Sequence, residues 1–104
     1  MTGYDPEAEE EVVSETEQEV TEPPMYRVLL HNDDYTTMEF VVELLMYIFN
    51  KSLEEATQIM LNVHHSGRGV CGVYTYEVAE TKVEMVHQLA RERGFPLKST
   101  MEKV

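Results

Sequence analysis

The sequence predicts an α+β domain in which three helices pack on one face of a three-stranded antiparallel sheet, in the order β-α-α-β-α-β. Two observations support this. Three short segments show strand-like patterns, either alternation of apolar and polar residues or clusters of β-branched and aromatic residues. Three longer segments carry apolar residues at helical spacing. Turn and capping residues separate the segments. Three strands and three helices suffice for one two-layer domain around a single core.

The first predicted strand has one apolar face. Tyr26, Val28 and Leu30 alternate with Arg27, Leu29 and His31, which is typical of a strand buried on one side. The run Asn32-Asp33-Asp34-Tyr35 comes next and favours a turn, because Asn and Asp side chains bond their own downstream backbone.

Two helices are predicted next, each opened by residues with capping-box spacing. Thr36 and Glu39 have this spacing in the first helix, which is expected to end near Asn50. Its apolar stripe consists of Phe40, Val41, Leu44, Leu45, Ile48 and Phe49. Ser52 and Glu55 repeat the spacing in the second helix. That helix carries Ala56, Ile59, Met60 and Val63 on one side and is expected to end at His64-His65-Ser66-Gly67, since glycine suits a left-handed terminus.

The second half supplies two strands and a helix. Residues 68–76 are rich in β-branched and aromatic types and predict the second strand. Residues 78–93 predict the third helix, with Gly94 as its C-terminal stop. After Pro96, residues 97–104 can form a final strand.

The charge of the chain divides it into two parts. The formal net charge is −12, but residues 1–24 hold nine acids and no Lys or Arg. The eleven acids and eight bases of residues 25–104 leave only −3 there. Like charges repel and the first segment lacks apolar periodicity, so we expect residues 1–24 to form a disordered acidic extension. Residues 25–104 form the predicted domain.

Composition also limits the classes of function. Binding to nucleic acid or to an anionic membrane needs clustered Lys and Arg, which this chain lacks. No apolar run is long enough to span a bilayer, and no signal-peptide pattern opens the chain. The single cysteine, Cys71, excludes an internal disulfide and suits a reducing compartment. We therefore expect a cytoplasmic protein, and a monomer.

Polar residues that packing does not explain lie at two junctions. Asn32-Asp33-Asp34 follows the first strand, and His64-His65 ends the second helix. The short connection between the first two helices favours an antiparallel pair. The start of the first helix, with Met38 and Val41, would then meet the end of the second, with Met60 and Val63. We expect a small apolar recess there, rimmed by carboxylates, an amide and an imidazole.

Each feature also has a purely structural interpretation. Asn and Asp after a strand commonly form turns or caps, a terminal His can complement the helix dipole, and Met at helical spacing fills core gaps. Metal binding by Asp33, Asp34, His64 and His65 is disfavoured because no zinc-type spacing occurs, and no cofactor is expected. Cys71 paired with a His as a nucleophile lacks a third orienting group. From the residues alone, a binding module is favoured over an enzyme.

Several segments resemble the ClpS adaptor family. Residues 25–41, from Met25-Tyr26-Arg27 through the Asn-Asp turn to Phe40-Val41, are similar to the opening of that family. Residues 56–64 are similar to its second helix, and residues 71–74 and 77–83 to its later blocks. The resemblance covers residues 25–104, and a variable N-terminal extension also fits it. It implies an N-degron receptor that is not an enzyme.

The resemblance implies a role for each matching residue. Such adaptors bind proteins with an N-terminal Leu, Phe, Tyr or Trp and deliver them to an AAA+ unfoldase of the ClpA or ClpC type that works with the ClpP peptidase. The free α-amino group would be ringed by Asn32, Asp33 or Asp34, and His64. The side-chain pocket would be lined by Leu30, Thr36, Met38, Val41, Met60, Val63 and Leu97. The unfoldase would contact Glu77, Glu80 and Lys82.

One position departs from the family pattern. Members usually have Pro where this chain has Thr37, and losing a fixed φ at the first helical turn is expected to loosen Met38 and the selection of side chains. Two alternatives stay open, and Thr37 favours only the first. One is a regulator of the unfoldase that does not read N-termini, and the other is an Asp/His hydrolase.

Overall fold

The computed structural model describes residues 22–104 of the chain. The elements are β1 (Met25–His31), α1 (Met38–Ile48), α2 (Leu53–Ser66), β2 (Arg68–Thr75), α3 (Tyr76–Arg93) and β3 (Lys98–Lys103). The predicted order β-α-α-β-α-β and the α+β fold class are confirmed. The expectation of disorder for residues 1–24 falls almost entirely outside the described residues.

The three strands form one antiparallel sheet with β1 in the centre, in the order β2-β1-β3. Val28 pairs with Gly72 but Leu29 pairs with Val70, so the register shifts by one residue. Cys71 is the extra residue of this bulge, and it is buried in the core.

The core lies between the helices and the face of β1 that carries Val28 and Leu30. Both side chains are fully buried, as the predicted alternation requires. From the helices the core receives Phe40, Val41, Leu44, Leu45, Ile48, Ala56, Met60, Val63, Ala79, Val86 and Ala90. The predicted apolar stripes of α1 and α2 thus supply most of it. Among the described residues, no helix is long and apolar enough to cross a bilayer.

The turn between β1 and α1 is organised by the carboxylate of Asp33. Its Oδ1 accepts hydrogen bonds from the backbone N–H groups of Tyr35 (2.8 Å) and Thr36 (2.7 Å), and its Oδ2 accepts one from Thr36 Oγ1 (2.7 Å). Burial alone would raise the pKa of Asp33, but these three hydrogen bonds outweigh it and lower the pKa below its ordinary value.

The prediction that Thr36 caps α1 is wrong by one residue. Because the Thr36 hydroxyl donates to Asp33, the next residue takes over the cap: Thr37 Oγ1 accepts a hydrogen bond from Phe40 N at 3.2 Å. Thr37 has φ −75° and ψ 150°, so it already has the φ that a proline would impose there.

The other predicted helix ends agree closely with the structure. Ser52 and Glu55 form the reciprocal capping box, with distances of 3.1 and 3.0 Å. Gly67 (φ 89°) and Gly94 (φ 77°) end α2 and α3 in the left-handed conformation. The predicted strand 68–76 stops at Thr75 and α3 begins at Tyr76 instead of residue 78, because a bulky β-former such as Tyr76 gives no local signal of a helix start.

Lys82 of α3 closes the C-terminus of α1. Its Nζ donates to the carbonyl oxygen of Ile48 at 2.6 Å, and it lies 5.9 and 5.7 Å from the ring centroids of Phe49 and Tyr74. The cation therefore satisfies a terminal helix carbonyl and contacts two aromatic faces.

The Asp33 turn predicts a specific pH dependence of stability. The folded pKa of Asp33 lies below the unfolded value of about 3.9, so its contribution is present above that value and is lost as the pH falls through the folded pKa. We expect Asp33→Asn to lower the free energy of unfolding by about 1 kcal/mol at about pH 6. The free energy of unfolding of this variant should also decrease less steeply than that of the wild type below about pH 4. Urea unfolding at both pH values measures this.

The matched control is Asp34→Asn, because no described residue donates a hydrogen bond to Asp34. This variant should keep the acid dependence of the wild type. Identical pH profiles for the two variants would show that the Asp33 network contributes nothing to stability.

The cap of α1 predicts losses of stability of different size for two substitutions at Thr37. Thr37→Ala removes the side-chain acceptor and should lower the free energy of unfolding by about 1 kcal/mol. Thr37→Pro also removes it, but the native φ suits a proline ring and the unfolded chain loses freedom, which offsets about 0.4–1 kcal/mol. Urea unfolding should therefore rank wild type, Thr37→Pro and Thr37→Ala in falling stability. A larger loss with proline would contradict the cap assignment.

Candidate functional site

The ends of β1 and α2 meet because of the sheet. Only Gly67 separates α2 from β2, and β2 runs antiparallel to β1, so His31 pairs with Arg68 at the end of the ladder. One residue further on, the N–H of Asn32 donates to the carbonyl oxygen of Gly67 at 2.9 Å. This pairing places the Asn-Asp turn next to His64.

A cavity of about 400 Å³ lies at this junction. Its walls come from the turn after β1, the first turn of α1 and the last turns of α2. The lining residues are Asn32, Asp33, Asp34, Tyr35, Thr36, Thr37, Met38, Val41, Met60, Val63 and His64. Nine residues predicted for the amine ring and the side-chain pocket are thus brought together around one cavity.

The inner part of the cavity is apolar. Val41, Met60 and Val63 are buried core residues that also face it, whereas Met38 is 47% exposed and lies at the rim. A strand passes close behind Val63: a Cβ added at Gly69 would lie 2.8 Å from Val63 Cγ2. The position of Val63 in the wall therefore depends on a glycine in β2.

The outer part of the cavity is polar and anionic. Asn32, Asp34 and His64 have exposed side chains, and His64 stands against the ring of His65, with centroids 5.3 Å apart. Asp33 Oδ1 already accepts two hydrogen bonds from the turn and Oδ2 accepts one, so Asp34, to which no described residue donates, has the greater free acceptor capacity. Among the described residues, no Lys or Arg lines the cavity.

Two predicted pocket residues lie elsewhere, and two lining residues were missed. Leu30 and Leu97 belong to the buried core and do not line the cavity. Tyr35, which is 78% exposed, and Thr37 do line it. The sequence indicates that Tyr35 lines the cavity only through its position, as an aromatic residue directly after two aspartates. The position of Thr37 followed from its neighbour Thr36 being drawn into the turn.

The three residues predicted to contact an unfoldase have different surroundings at the start of α3. Glu77 and Glu80 are exposed, and Tyr76 Oη lies 3.5 Å from Glu80 Oε2. Their neighbours Tyr76 and Val78 are exposed apolar residues. Lys82, by contrast, is half-buried and engaged with Ile48 and the two rings.

The structure removes the support for a cysteine nucleophile. Cys71 is 1% exposed, and burial raises the pKa of its thiol to about 12, so almost no thiolate forms at neutral pH. Residues 22–104 also contain no group of three or more His, Cys, Asp or Glu side chains arranged to hold a metal ion.

Comparison with known proteins identifies the family. The family described as "ATP-dependent Clp protease adaptor protein ClpS" matches residues 21–100. An ATP-dependent Clp protease adapter protein ClpS from Desulforapulum autotrophicum is 64% identical over 103 residues, which covers 99% of each chain. The protein of the same description from Desulfatibacillum aliphaticivorans is 63% identical over 92 residues, or 88% of each chain.

A solved structure has the same fold. The structure of Agrobacterium tumefaciens ClpS2 bound to L-phenylalaninamide is similar with a TM-score of 0.77 and 38% identity, over 80% of this chain and 100% of that one. The fold, the family match and the full-length relatives agree. The chain belongs to the ClpS family of adaptor proteins of the ATP-dependent Clp protease.

Proposed function

We propose that this adaptor binds proteins that begin with Leu, Phe, Tyr or Trp, through the free α-amino group and the first side chain. It then delivers them to a ClpA-type AAA+ unfoldase that works with ClpP. The observation that carries this proposal is the cavity with an apolar inner wall and an anionic rim. The relative bound to L-phenylalaninamide, a single residue with a free amine, supports it.

The polar rim suits an ammonium group. An α-ammonium has three donors and a positive charge, and Asn32, Asp34 and His64 offer an amide oxygen, a carboxylate and, in the neutral imidazole, one acceptor nitrogen. We assign the direct contact to Asp34, since three of the acceptor sites of Asp33 are occupied by the turn and no described residue donates to Asp34. An internal peptide bond offers one neutral donor and would leave this ring of acceptors unsatisfied.

The apolar part suits one side chain. The volume of about 400 Å³ lies near the lower end of the 300–1,000 Å³ that is typical of small-molecule sites, too small for an extended peptide. Val41, Met60 and Val63 would surround the first side chain, and Met38 would cover it from the rim. A β-branched Val or Ile would crowd Met38 close to the main chain.

The energies are consistent with reversible capture. Burying a Leu or Phe side chain contributes about 1.5–3 kcal/mol, and each charge-assisted hydrogen bond adds roughly 1.5–3 kcal/mol. Association costs several kcal/mol. At the upper end of these ranges the net is near −8 kcal/mol, which corresponds to a Kd of about 1 μM and permits both capture and release.

Delivery requires a second surface, and α3 offers one. The exposed residues Glu77 and Glu80, with Tyr76 and Val78 beside them, form a contiguous acidic and apolar patch. Lys82 contributes here by fixing α1 to α3. The further proposal that the unfoldase pulls on the acidic extension concerns residues outside the described part of the chain.

The proposed amine site predicts different peptide affinities for alanine substitutions at two adjacent histidines. His64→Ala removes an acceptor from the rim and should weaken an N-terminal Leu peptide at least about tenfold. His65→Ala changes an exposed neighbour on the same helix that does not line the cavity and should leave the affinity unchanged. Fluorescence anisotropy with a labelled peptide measures both.

Acetylating the α-amine of the same peptide supplies an independent check. Binding should vanish, because the charge and two donors are lost while the side chain stays the same. Equal affinity of the free and acetylated peptides, or equal losses in both histidine variants, would exclude amine recognition at this cavity.

The delivery surface predicts a separation of capture from degradation. Glu80→Lys should slow degradation of an N-terminal Leu substrate by the unfoldase and ClpP at least about fivefold. An unfoldase surface that is complementary to the acidic Glu80 is basic, and it would then face a lysine of like charge, which suppresses association. Its peptide affinity should not change. Glu84→Lys, the same charge change one turn further along α3, is the control for degradation. If peptide capture failed in wild type while the unfoldase was still regulated, the alternative of a regulator that does not read N-termini would hold.

A further inference from the structure

The accessible sulfur-containing side chains of residues 22–104 are methionines. The chain has one cysteine and seven methionines. Cys71 is buried with a pKa raised to about 12, so it presents almost no thiolate to an oxidant. Four methionines of the described residues have exposed side chains: Met25, Met38, Met46 and Met85. An oxidant in the solvent therefore meets thioethers first.

Met38 differs from the other three exposed methionines in its location. It is the most exposed of the four, at 47%, and the only one of them that lines the cavity at the Asn-Asp turn. Met60 lines the same cavity but is only 9% exposed, because it packs into the core. Of the two thioethers at the cavity, one is thus open to solvent and the other is sheltered.

A change of polarity at Met38 would alter the cavity without disturbing the core. Met38 is the first residue of α1, and it belongs neither to the buried core nor to the partly buried residues packed against that core. The cap of the helix is made by the neighbouring Thr37 hydroxyl and does not involve the Met38 side chain. The stability of the domain therefore does not depend on the thioether.

A hydroperoxide has the chemistry to make such a change. A sulfur lone pair of the thioether attacks hydrogen peroxide, an S–O bond forms as the O–O bond breaks, and the other oxygen takes up a proton and leaves as water. The sulfur loses two electrons, and the product is a polar sulfoxide that sulfoxide reductases convert back. Hydrogen peroxide is neutral, so the carboxylates of Asp33 and Asp34 at the cavity do not repel it.

We propose that Met38 is a reversible oxidation site, at which a hydroperoxide forms the sulfoxide and thereby weakens the capture of large apolar first residues. The inference rests on the proposed function, because Met38 affects capture only if the cavity holds the first side chain. The sulfoxide either lies against that side chain without a polar partner or turns to solvent and leaves it uncovered. The acceptors Asn32, Asp34 and His64 are unchanged, so affinity falls but does not vanish.

Peptide mapping of the peroxide-treated full chain by mass spectrometry tests the location. In millimolar hydrogen peroxide, sulfoxide should form at Met38 at least about fivefold faster than at Met60, because exposure governs the rate. A saturating peptide that begins with Phe and contains no methionine should slow oxidation of Met38 at least about threefold, since the bound ring covers it. Oxidation of Met85 should keep its rate. Equal rates at Met38 with and without the peptide would overturn the proposal.

Two leucine variants test the effect on binding, since leucine cannot be oxidised. After peroxide treatment, wild type and Met85→Leu should bind the Phe peptide at least about fivefold more weakly than before, by fluorescence anisotropy. Met38→Leu, compared only with itself, should keep whatever affinity it has. Treatment with the two stereospecific methionine sulfoxide reductases should restore the wild type. An equal loss in Met38→Leu would overturn the proposal, because the damage would then lie elsewhere.

The untreated chain separates this inference from the function on which it rests. If the reduced wild type does not bind the Phe peptide, the proposed function fails and the oxidation site fails with it. If the reduced chain binds and the chain with Met38 fully converted binds equally well, only the oxidation site is overturned.

Discussion

The antiparallel pairing of β1 with β2 is the constraint on which the candidate site depends. Only one residue, Gly67, lies between the end of α2 and the start of β2, so the ladder brings the end of α2 to the end of β1. The hydrogen bond from Asn32 to Gly67 continues that ladder past the last strand pair. The amide, the carboxylates and the imidazole therefore share one rim although 30 residues of sequence separate them.

Neighbouring residues of the same type have different surroundings at the cavity. Asp33 holds the turn with three hydrogen bonds, which leaves the adjacent Asp34 exposed and without a described donor. Thr36 belongs to the turn and Thr37 caps α1. The backbone of the turn that carries Asp34 is thus held by bonds within the protein.

The sequence predicted the elements and the meeting of the two junctions because those features follow local rules. Helical and alternating periodicity identify α1, α2 and β1, and glycine and capping signals locate most ends. The burial of Leu30 and Leu97 in the core, away from the cavity, and the contacts of Lys82 could not be predicted in this way. Periodicity shows that Leu30 and Leu97 face inward but not how deep they lie, and Lys82 contacts a carbonyl 34 residues away. The shift of the cap to Thr37 arose from competition for Asp33, which spacing alone does not show.

The close approach of Gly69 to Val63 gives the recess a control point that no ligand touches. A Cβ at position 69 would lie 2.8 Å from Val63 Cγ2, closer than two carbons can pack, so either Val63 or the strand would have to shift. If Val63 shifted toward the cavity that it lines, the recess would become narrower without any change in the acceptors at its rim. Under the proposed function, position 69 thereby controls which size of first side chain fits the recess, separately from the contacts that the rim makes with the amine.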